Sequence, residues 1–361
     1  SEMCIRDRPG IRQATVDVEF DQDGGQAQVQ VQDGALELPG VFEERLLPLQ
    51  RLQTEARWTV KGERIEVQLE RLSLANADAE GTGQVRWHTG DPATSSARSR
   101  FPGVLDLSAT LTRADATRVH RYLPLNLGEP ARRYVREAVQ AGRAERVDFR
   151  MLGEVWDMPF NTPGTQGEFR IGATLKGVDF DYVPPYLRSE GEPPWPALRQ
   201  ANGELLLDRA SLRLSGLMAG VQGAPSVQLG SASIAIDDLA HTPTLVVNAQ
   251  GRGAANELLG FMRQSPLNAM TGEALAQAQA DGAAGLAFRL RLPLESVQQT
   301  RVDGTVQFAG NNLRITPEAP LLGQTHGTLN FSDSGFAVHQ ARAQLYGGEL
   351  RFELSLIHIS E

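Results

Sequence analysis

The sequence predicts a mainly β protein: an antiparallel sheet of repeated hairpin units with two or three short helices. Three observations lead there. Apolar and polar residues alternate with period two along most of the chain, turn-forming pairs separate the runs, and helical periodicity is confined to a few short stretches. Alternation sends successive side chains to opposite faces of a strand, so each run has one apolar and one polar side.

The runs begin with Val16, Val18 and Phe20, then Ala27, Val29 and Val31 in QAQVQVQ. Ile65, Val67 and Leu69 alternate in RIEVQLE, and Leu105, Leu107, Ala109 and Leu111 in VLDLSATLT. Phe169 and Ile171, Leu212 and Leu214, and Ile234 and Ile236 continue the pattern. Phe288, Leu290 and Leu292, Val306 and Phe308, Leu313 and Ile315, Leu329 and Phe331, and Phe336 and Val338 complete it. Each run is short, about the five or six residues of an ordinary strand. The pairs Asp23-Gly24-Gly25, Asp33-Gly34, Lys61-Gly62, Asp303-Gly304, Asn311-Asn312 and Ser334-Gly335 tolerate positive φ and are expected to close hairpins.

Helices are few. Ala131, Tyr134, Val135, Ala138 and Val139 share one helical face over residues 130–140, with Pro130 in the first turn and Gly142 just past the end. Ala255, Leu258, Leu259 and Met262 predict a second short helix, stopped at Ser265-Pro266 because the residue before proline avoids helical angles. An alanine-rich stretch from Gly272 to Gln279 is a third candidate. A weak repeat aligns the stretch from Gly203 with that from Gly327 as glycine, strand, turn, strand, strand, glycine, which suggests units that pack mainly on their neighbours.

Hydrophobic residues make up 41% and charged residues 22% of the 361 residues, the composition of a folding chain. A formal charge of -9 disfavours nucleic acid as a partner, since neutralising phosphates needs a basic face. No run reaches the roughly 18 apolar residues of a spanning helix. Residues 1–8 (SEMCIRDR) and 354–361 (LSLIHISE) resemble translated sequencing-adapter read-through, which sets aside Cys4 and His358. Residues 9–353 are expected to form one continuous internal segment of a longer protein.

The search for chemistry yields little. Gln250-Gly251-Arg252-Gly253 stands between an expected strand and an expected helix, but a dinucleotide fingerprint would need glycine where Asn256 stands, so a strand-to-helix turn is expected. His88, His120, His241, His326 and His339 are isolated from any metal-ligating spacing, and no GxSxG motif occurs. The acidic pairs Asp237-Asp238 and Glu43-Glu44 read as a turn and a solvated loop. Arg132, Arg133, Arg136 and Arg143 form the densest basic patch, which could dock an anionic headgroup but reads more simply as a helix face balanced by Glu129 and Glu137. No catalytic residue, cofactor or metal is expected.

One-sided strands need a cover for the apolar face: a second sheet, a helix layer or an apolar ligand. Helices are too few, so the sheet either curls on itself or stays partly open. Periodicity alone allows a closed sandwich as well as an open groove.

Several short motifs, in order, resemble the YhdP branch of the AsmA-like family of bridge-type intermembrane lipid transport proteins. They are Pro102-Gly103-Val104-Leu105-Asp106-Leu107, Arg121-Tyr122-Leu123-Pro124, the helix that follows with Ala141-Gly142, Met158-Pro159-Phe160, Gly167-Glu168-Phe169 and Trp195-Pro196-Ala197-Leu198. Ser265-Pro266-Leu267, Leu292-Pro293-Leu294 and Leu345-Tyr346-Gly347-Gly348 extend the series over roughly residues 10–352. The resemblance implies an elongated, curved antiparallel β-sheet groove that shields phospholipid acyl chains between inner and outer membranes. It places the chain in the periplasm, tethered through an inner-membrane anchor and flanking parts of the same chain outside this sequence, in support of the outer-membrane permeability barrier. The lipid-groove candidates are Val29, Val31, Val67, Leu107, Phe169, Ile171, Leu212, Leu214, Ile234, Ile236, Phe288, Leu290, Val306, Phe308, Leu329 and Phe331. The runner-up is a structural or adhesive β-protein with a closed apolar core. A transmembrane barrel, which wants longer strands and aromatic girdles, ranks third, and an enzyme on a β-helix last.

Overall fold

Alternating runs rich in β-branched and large apolar residues suit a pleated, half-buried surface, and the computed structural model forms strands from nearly all of them. The structure describes residues 9–265, 276–332 and 335–357. In chain order the strands are β1 (Gly10–Phe20), β2 (Gly24–Glu37), β3 (Leu46–Lys61), β4 (Arg64–Ala75), β5 (Ala79–His88), β6 (Val104–Asp115), β7 (Val139–Glu154), β8 (Gly167–Phe180) and β9 (Leu198–Asp208). There follow β10 (Ser211–Val221), β11 (Ala224–Ile236), β12 (Thr244–Ala254), β13 (Gln279–Ala280), β14 (Ala283–Pro293), β15 (Arg301–Arg314), β16 (Leu322–Ser332), β17 (Gly335–Leu345) and β18 (Gly348–Ile357). The helices are α1 (Glu129–Ala138) and α2 (Ala255–Arg263). Within each unit the described strands pair antiparallel with their neighbours. The chain falls into two compact units, Ser1–Lys176 with Leu205–Leu212 and Gly177–Glu204 with Arg213–Glu361.

Most strands are longer than the short runs expected, reaching 16 residues in β3 and β7. Bulges explain the difference: an extra residue breaks the alternation inside one strand, so a long strand reads as two short ones. The β1–β2 register shifts between Arg12 and Ala14, with Gln13 at φ 56°, and the β4–β5 register shifts between Leu69 and Leu72, with Arg71 at φ 51°.

Three of the expected turns lie inside strands instead, two of them at register shifts. Asp23-Gly24-Gly25 and Lys61-Gly62 do lie at the β1–β2 and β3–β4 connections, and Gly335 opens β17, while Ser334 is outside the described residues. Asp33-Gly34, Asp303-Gly304 and Asn311-Asn312, however, lie within β2 and β15. At Gly34 a methyl group would strike the Arg12 carbonyl, and at Gly304 it would strike the Phe331 ring. Asn311 sits at a register shift of β15, buried, and its side-chain amide donates to the carbonyls of Asp281 (2.6 Å) and Ala283 (3.0 Å).

Helix α1 begins with Pro130 in its first turn, as expected, but ends at Ala138 rather than Gln140. Val139 takes an extended conformation and starts β7, where its β-branched side chain is better accommodated. Helix α2 ends at Arg263, before Ser265-Pro266. Of the third helical stretch, residues 272–275 lie outside the described residues, and the described end runs through a turn into β13.

In the first unit β1 to β7 pair in chain order. The β6–β7 connection packs across one end of these strands and carries 3-10 turns at Ala116–Tyr122 and Leu125–Leu127 before α1. Arg121 binds both carboxylate oxygens of Glu44 (2.8 and 2.6 Å) and also reaches Asp78. Tyr122 donates to Asp78 (2.9 Å) and accepts from Asn76 (2.9 Å). One cluster therefore ties the β2–β3, β4–β5 and β6–β7 connections together. Burial raises the Tyr122 phenol to about 12, and the Arg121 hydrogen bond lowers Glu44 below the usual carboxylate range.

In the second unit β11, β12, β14, β15, β16, β17 and β18 pair in that order, with β13 set against the end of β15. Glu257 on α2 accepts from both the backbone nitrogen and the hydroxyl of Ser226 (2.8 Å each), which holds the helix over the start of β11. The two stretches aligned as a repeat, from Gly203 and from Gly327, each form strand, short connection and strand.

Candidate functional site

The residues that alternation marks as apolar are brought into register by the strand pairing. In the first unit one row runs Val18, Ala27, Ala56, Leu69, Val85, Leu107, Met151, one residue from each of β1 to β7, each opposite the next. A neighbouring row runs Phe20, Gly25, Trp58, Val67, Trp87, Leu105, Gly153. On the other side lies Ala14, Val31, Leu52, Leu74, Gly81, Leu111, Val147. No charged or amide side chain interrupts these rows. The close backbone contacts of β1 to β7 run along the ladder to the neighbouring strands, and β7 also meets the connection that precedes it.

Burial follows from that arrangement. Val31, Leu49 and Leu52 form a small buried cluster with Val29, Leu36 and Leu72 against it. Away from it Leu69, Val85, Leu107 and Met151 are only half-buried.

The opposite face is polar and satisfies itself. Arg57 pairs with Glu70 (3.5 Å), Arg71 with Glu55 (3.0 Å), and Arg150 with both Asp106 and Glu168 (3.2 Å to the latter). Asp148 accepts from Arg146 (2.6 Å) and the Thr110 hydroxyl (2.7 Å), and its carboxyl is lowered chiefly by the arginine.

The sixteen candidate residues can now be placed. Val29, Val31, Val67 and Leu107 lie on the apolar face of the first unit. Glu168 reaches Arg150 on the polar face, so alternation puts Phe169 and Ile171 on the apolar side of β8. In the second unit Ile234 is opposite Val247, which is opposite Leu290, and Leu290 faces Val302. A parallel row runs Leu286, Val306, Leu329, Val338, and another Ala249, Phe288, Gly304, Phe331. Phe308 faces Ala284 and Gly327, and Ile236 faces Leu245. Arg213 points to Asp237 (3.3 Å), leaving Leu212 and Leu214 on the other side of β10. Val31 and Ile236 are buried and the rest are half-buried.

Several residues of these rows fall outside the sequence candidates. Gly81 and Gly83 dilute the pattern in β5, hiding Val85 and Trp87, and β12 carries a continuous apolar run in which Val247 does not stand out. Phe149 and Met151, by contrast, alternate plainly with Asp148 and Arg150.

The remaining candidates take structural places. Gly251 and Gly253 are strand residues of β12 facing Leu286 and Ala284, not a turn. Asp238 accepts from the backbone of Ala240 and His241 and so caps a turn. Glu43 and Glu44 lie in a loop but are paired, with Arg136 (2.5 Å) and Arg121. Arg132 is buried with its guanidinium on the Leu125 carbonyl (2.9 Å), Arg133 pairs with Glu137 (2.8 Å), and Arg143 with Glu145 (3.1 Å). Among the described residues no group of three or more His, Cys, Asp or Glu is arranged to hold a metal, and no helix is long and apolar enough to cross a membrane.

A family model described as YhdP protein matches residues 5–360. The intermembrane phospholipid transporter YhdP of Escherichia coli (strain K12) is 24% identical over 254 residues, which is 70% of this chain and 19% of that protein. This chain therefore corresponds to a small part of that relative's length. No solved structure matches. With a family match over almost its whole length and an open antiparallel sheet of one apolar face, the chain belongs to the YhdP protein family.

Proposed function

We propose that this chain is one stretch of a periplasmic lipid-transfer conduit, whose apolar sheet face shields phospholipid acyl chains between the inner and outer membranes. The observation that carries the reading is the uninterrupted apolar row from Val18 to Met151, which crosses seven strands and stays half-buried from Leu69 onward. A closed sandwich would bury Leu69, Val85 and Leu107 as an ordinary core.

The energetics suit lipid. A buried methylene is worth about 0.8 kcal/mol, so a chain of about sixteen carbons crossing water unshielded costs on the order of 10 kcal/mol. A continuous apolar row removes most of that barrier without a deep binding site, because every position along it offers the same contact. The role is shielding, and it needs no catalytic group. The relative's printed function, intermembrane phospholipid transport, favours phospholipid as the cargo. In this reading other parts of the protein provide the inner-membrane tether and the rest of the path, and the outcome is maintenance of the outer-membrane permeability barrier.

Native mass spectrometry of the 361-residue chain purified from a Gram-negative host tests this. Bound phospholipid masses that disappear on extraction with organic solvent are expected. A lipid-free chain that does not take up phospholipid from vesicles would defeat the proposal.

A further inference from the structure

The two ends of the strands in the first unit are built differently. At one end the β6–β7 connection is pinned to the β2–β3 and β4–β5 connections by the Arg121, Asp78 and Glu44 ion pairs, and the strand residues near this end, Leu47, Leu49, Ala144 and Val147, are buried. The large apolar side chains exposed at this end, Ile11, Val41, Leu46, Val119, Leu125 and Leu127, are all aliphatic.

At the other end the strands stop in open loops that carry aromatic rings. Trp87, on the apolar face opposite Val67 and Leu105, stacks on Phe101 with centroids 5.9 Å apart. Its indole N–H donates to the Pro102 carbonyl (2.7 Å), which fixes the ring at the strand end. Phe101 is 54% exposed, and Trp156, in the next loop, is 66% exposed. The two loops are joined, the Val155 nitrogen donating to the Gly103 carbonyl (3.0 Å). Phe160 locks the second loop down, its ring almost wholly buried in the notch left by Gly153 and Gly167. Phe101, through Trp87, continues the apolar row to the edge of the sheet, and the joined loops bring the exposed Trp156 to the same end of the strands.

Aromatic side chains of this kind gather where an apolar phase meets water, because a flat apolar body with a polar or quadrupolar edge suits both. We infer that the loops at residues 89–103 and 154–166 form the headgroup-side lip of the first unit, with Phe101 and Trp156 at the boundary between acyl chain and phospholipid headgroup. The inference rests on the lipid-shielding reading above and adds a direction to it. Acyl chains lie across the rows toward the pinned end, and headgroups leave at the aromatic end. Arg98 stands exposed in the first of these loops, where a guanidinium can meet a lipid phosphate.

Two photoreactive phosphatidylethanolamines test this on the 361-residue chain, one with a diazirine in the headgroup and one with it at the end of an acyl chain. Crosslinks are mapped by mass spectrometry. The expected result is headgroup-probe adducts at residues 98–102 and 155–158 and chain-end adducts on Val85, Leu107 and their neighbours in the row. Headgroup adducts concentrated at Val41, Leu125 and Leu127, or divided evenly between the two ends, would overturn the inference while leaving lipid shielding intact. If neither probe labels the apolar face above a water-soluble diazirine control, lipid shielding fails and the inference fails with it. In the Phe101→Ala, Trp156→Ala double variant headgroup labelling of the lip should fall about five-fold, in line with the loss of aromatic contacts, with chain-end labelling kept. Unchanged headgroup labelling would remove the rings from the lip.

Discussion

The two faces of the β1 to β7 sheet are made by the same strands yet solve different problems. On the polar face Arg57, Arg71, Arg146 and Arg150 find carboxylates on their own or neighbouring strands, so the face is complete in water. On the apolar face Leu69, Val85 and Leu107 line up across their strands and stay only partly covered. Burying a large aliphatic side chain fully is worth about 2 kcal/mol, so a row left partly covered gives up a fraction of that at each position. The contrast teaches that stability comes largely from backbone pairing and the small Val31, Leu49 and Leu52 cluster, leaving the rest of the apolar face available to a ligand.

The comparison breaks most visibly if charge is placed on the apolar row. Leu107→Asp should cut co-purifying phospholipid at least about ten-fold, since an ionised carboxylate there must be kept wet, while circular dichroism keeps its β signal. Gln30→Asp on the other face, opposite the uncharged Thr15 and Gln53, should change neither. Equal losses from both would erase the distinction between the faces.

A second test concerns the corner where polar groups are buried. Arg121→Ala strands Asp78, which is 6% exposed, and should destabilise the chain by about 3 kcal/mol in urea unfolding. Lipid binding by the refolded variant should persist.

A smaller effect belongs to Tyr122 in the same cluster. Its phenol is raised to about 12 in the folded chain, against 10.0 for the ordinary group, chiefly by burial. The folded state then holds the proton more tightly than the unfolded state, so stability should fall as pH rises from about 10 to about 12. Tyr122→Phe should flatten that part of the pH profile, and an unchanged profile would assign the alkaline loss elsewhere. The smallest effect is expected on the polar face, where Arg57→Ala should cost under about 1 kcal/mol because its pair with Glu70 is exposed.

Much of the sheet is legible from alternation, because the pattern that names the faces is the pattern that builds them. Part of what escapes does so because a residue tolerant of positive φ serves a bulge as well as a turn. Asp33-Gly34 and Asn311-Asn312 carry turn chemistry and sit inside strands, and Gly304 is glycine to make room for Phe331. The helical face in sequence runs two residues past the end of α1, because Val139 fits that face yet begins β7 in space. Of the apolar rows, Leu107 and Val306 stand out directly, whereas Val85 is masked by neighbouring glycines whose place is fixed by cross-strand contact. The stacking of Phe101 on Trp87 depends on a loop that comes back to its own strand, which no local pattern records.

The most direct test of an open apolar face is chemical access. With Cys4 replaced by serine, single cysteines at Leu69, Val85 and Leu107 can be titrated with a maleimide in the lipid-stripped chain and again after incubation with phospholipid vesicles. Fast labelling in the stripped chain and strong protection after loading are expected, with a cysteine at Gln28 labelled fast in both. Slow labelling of the three apolar positions in the stripped chain would mean that the face is already covered by protein, and would contradict lipid shielding at its root.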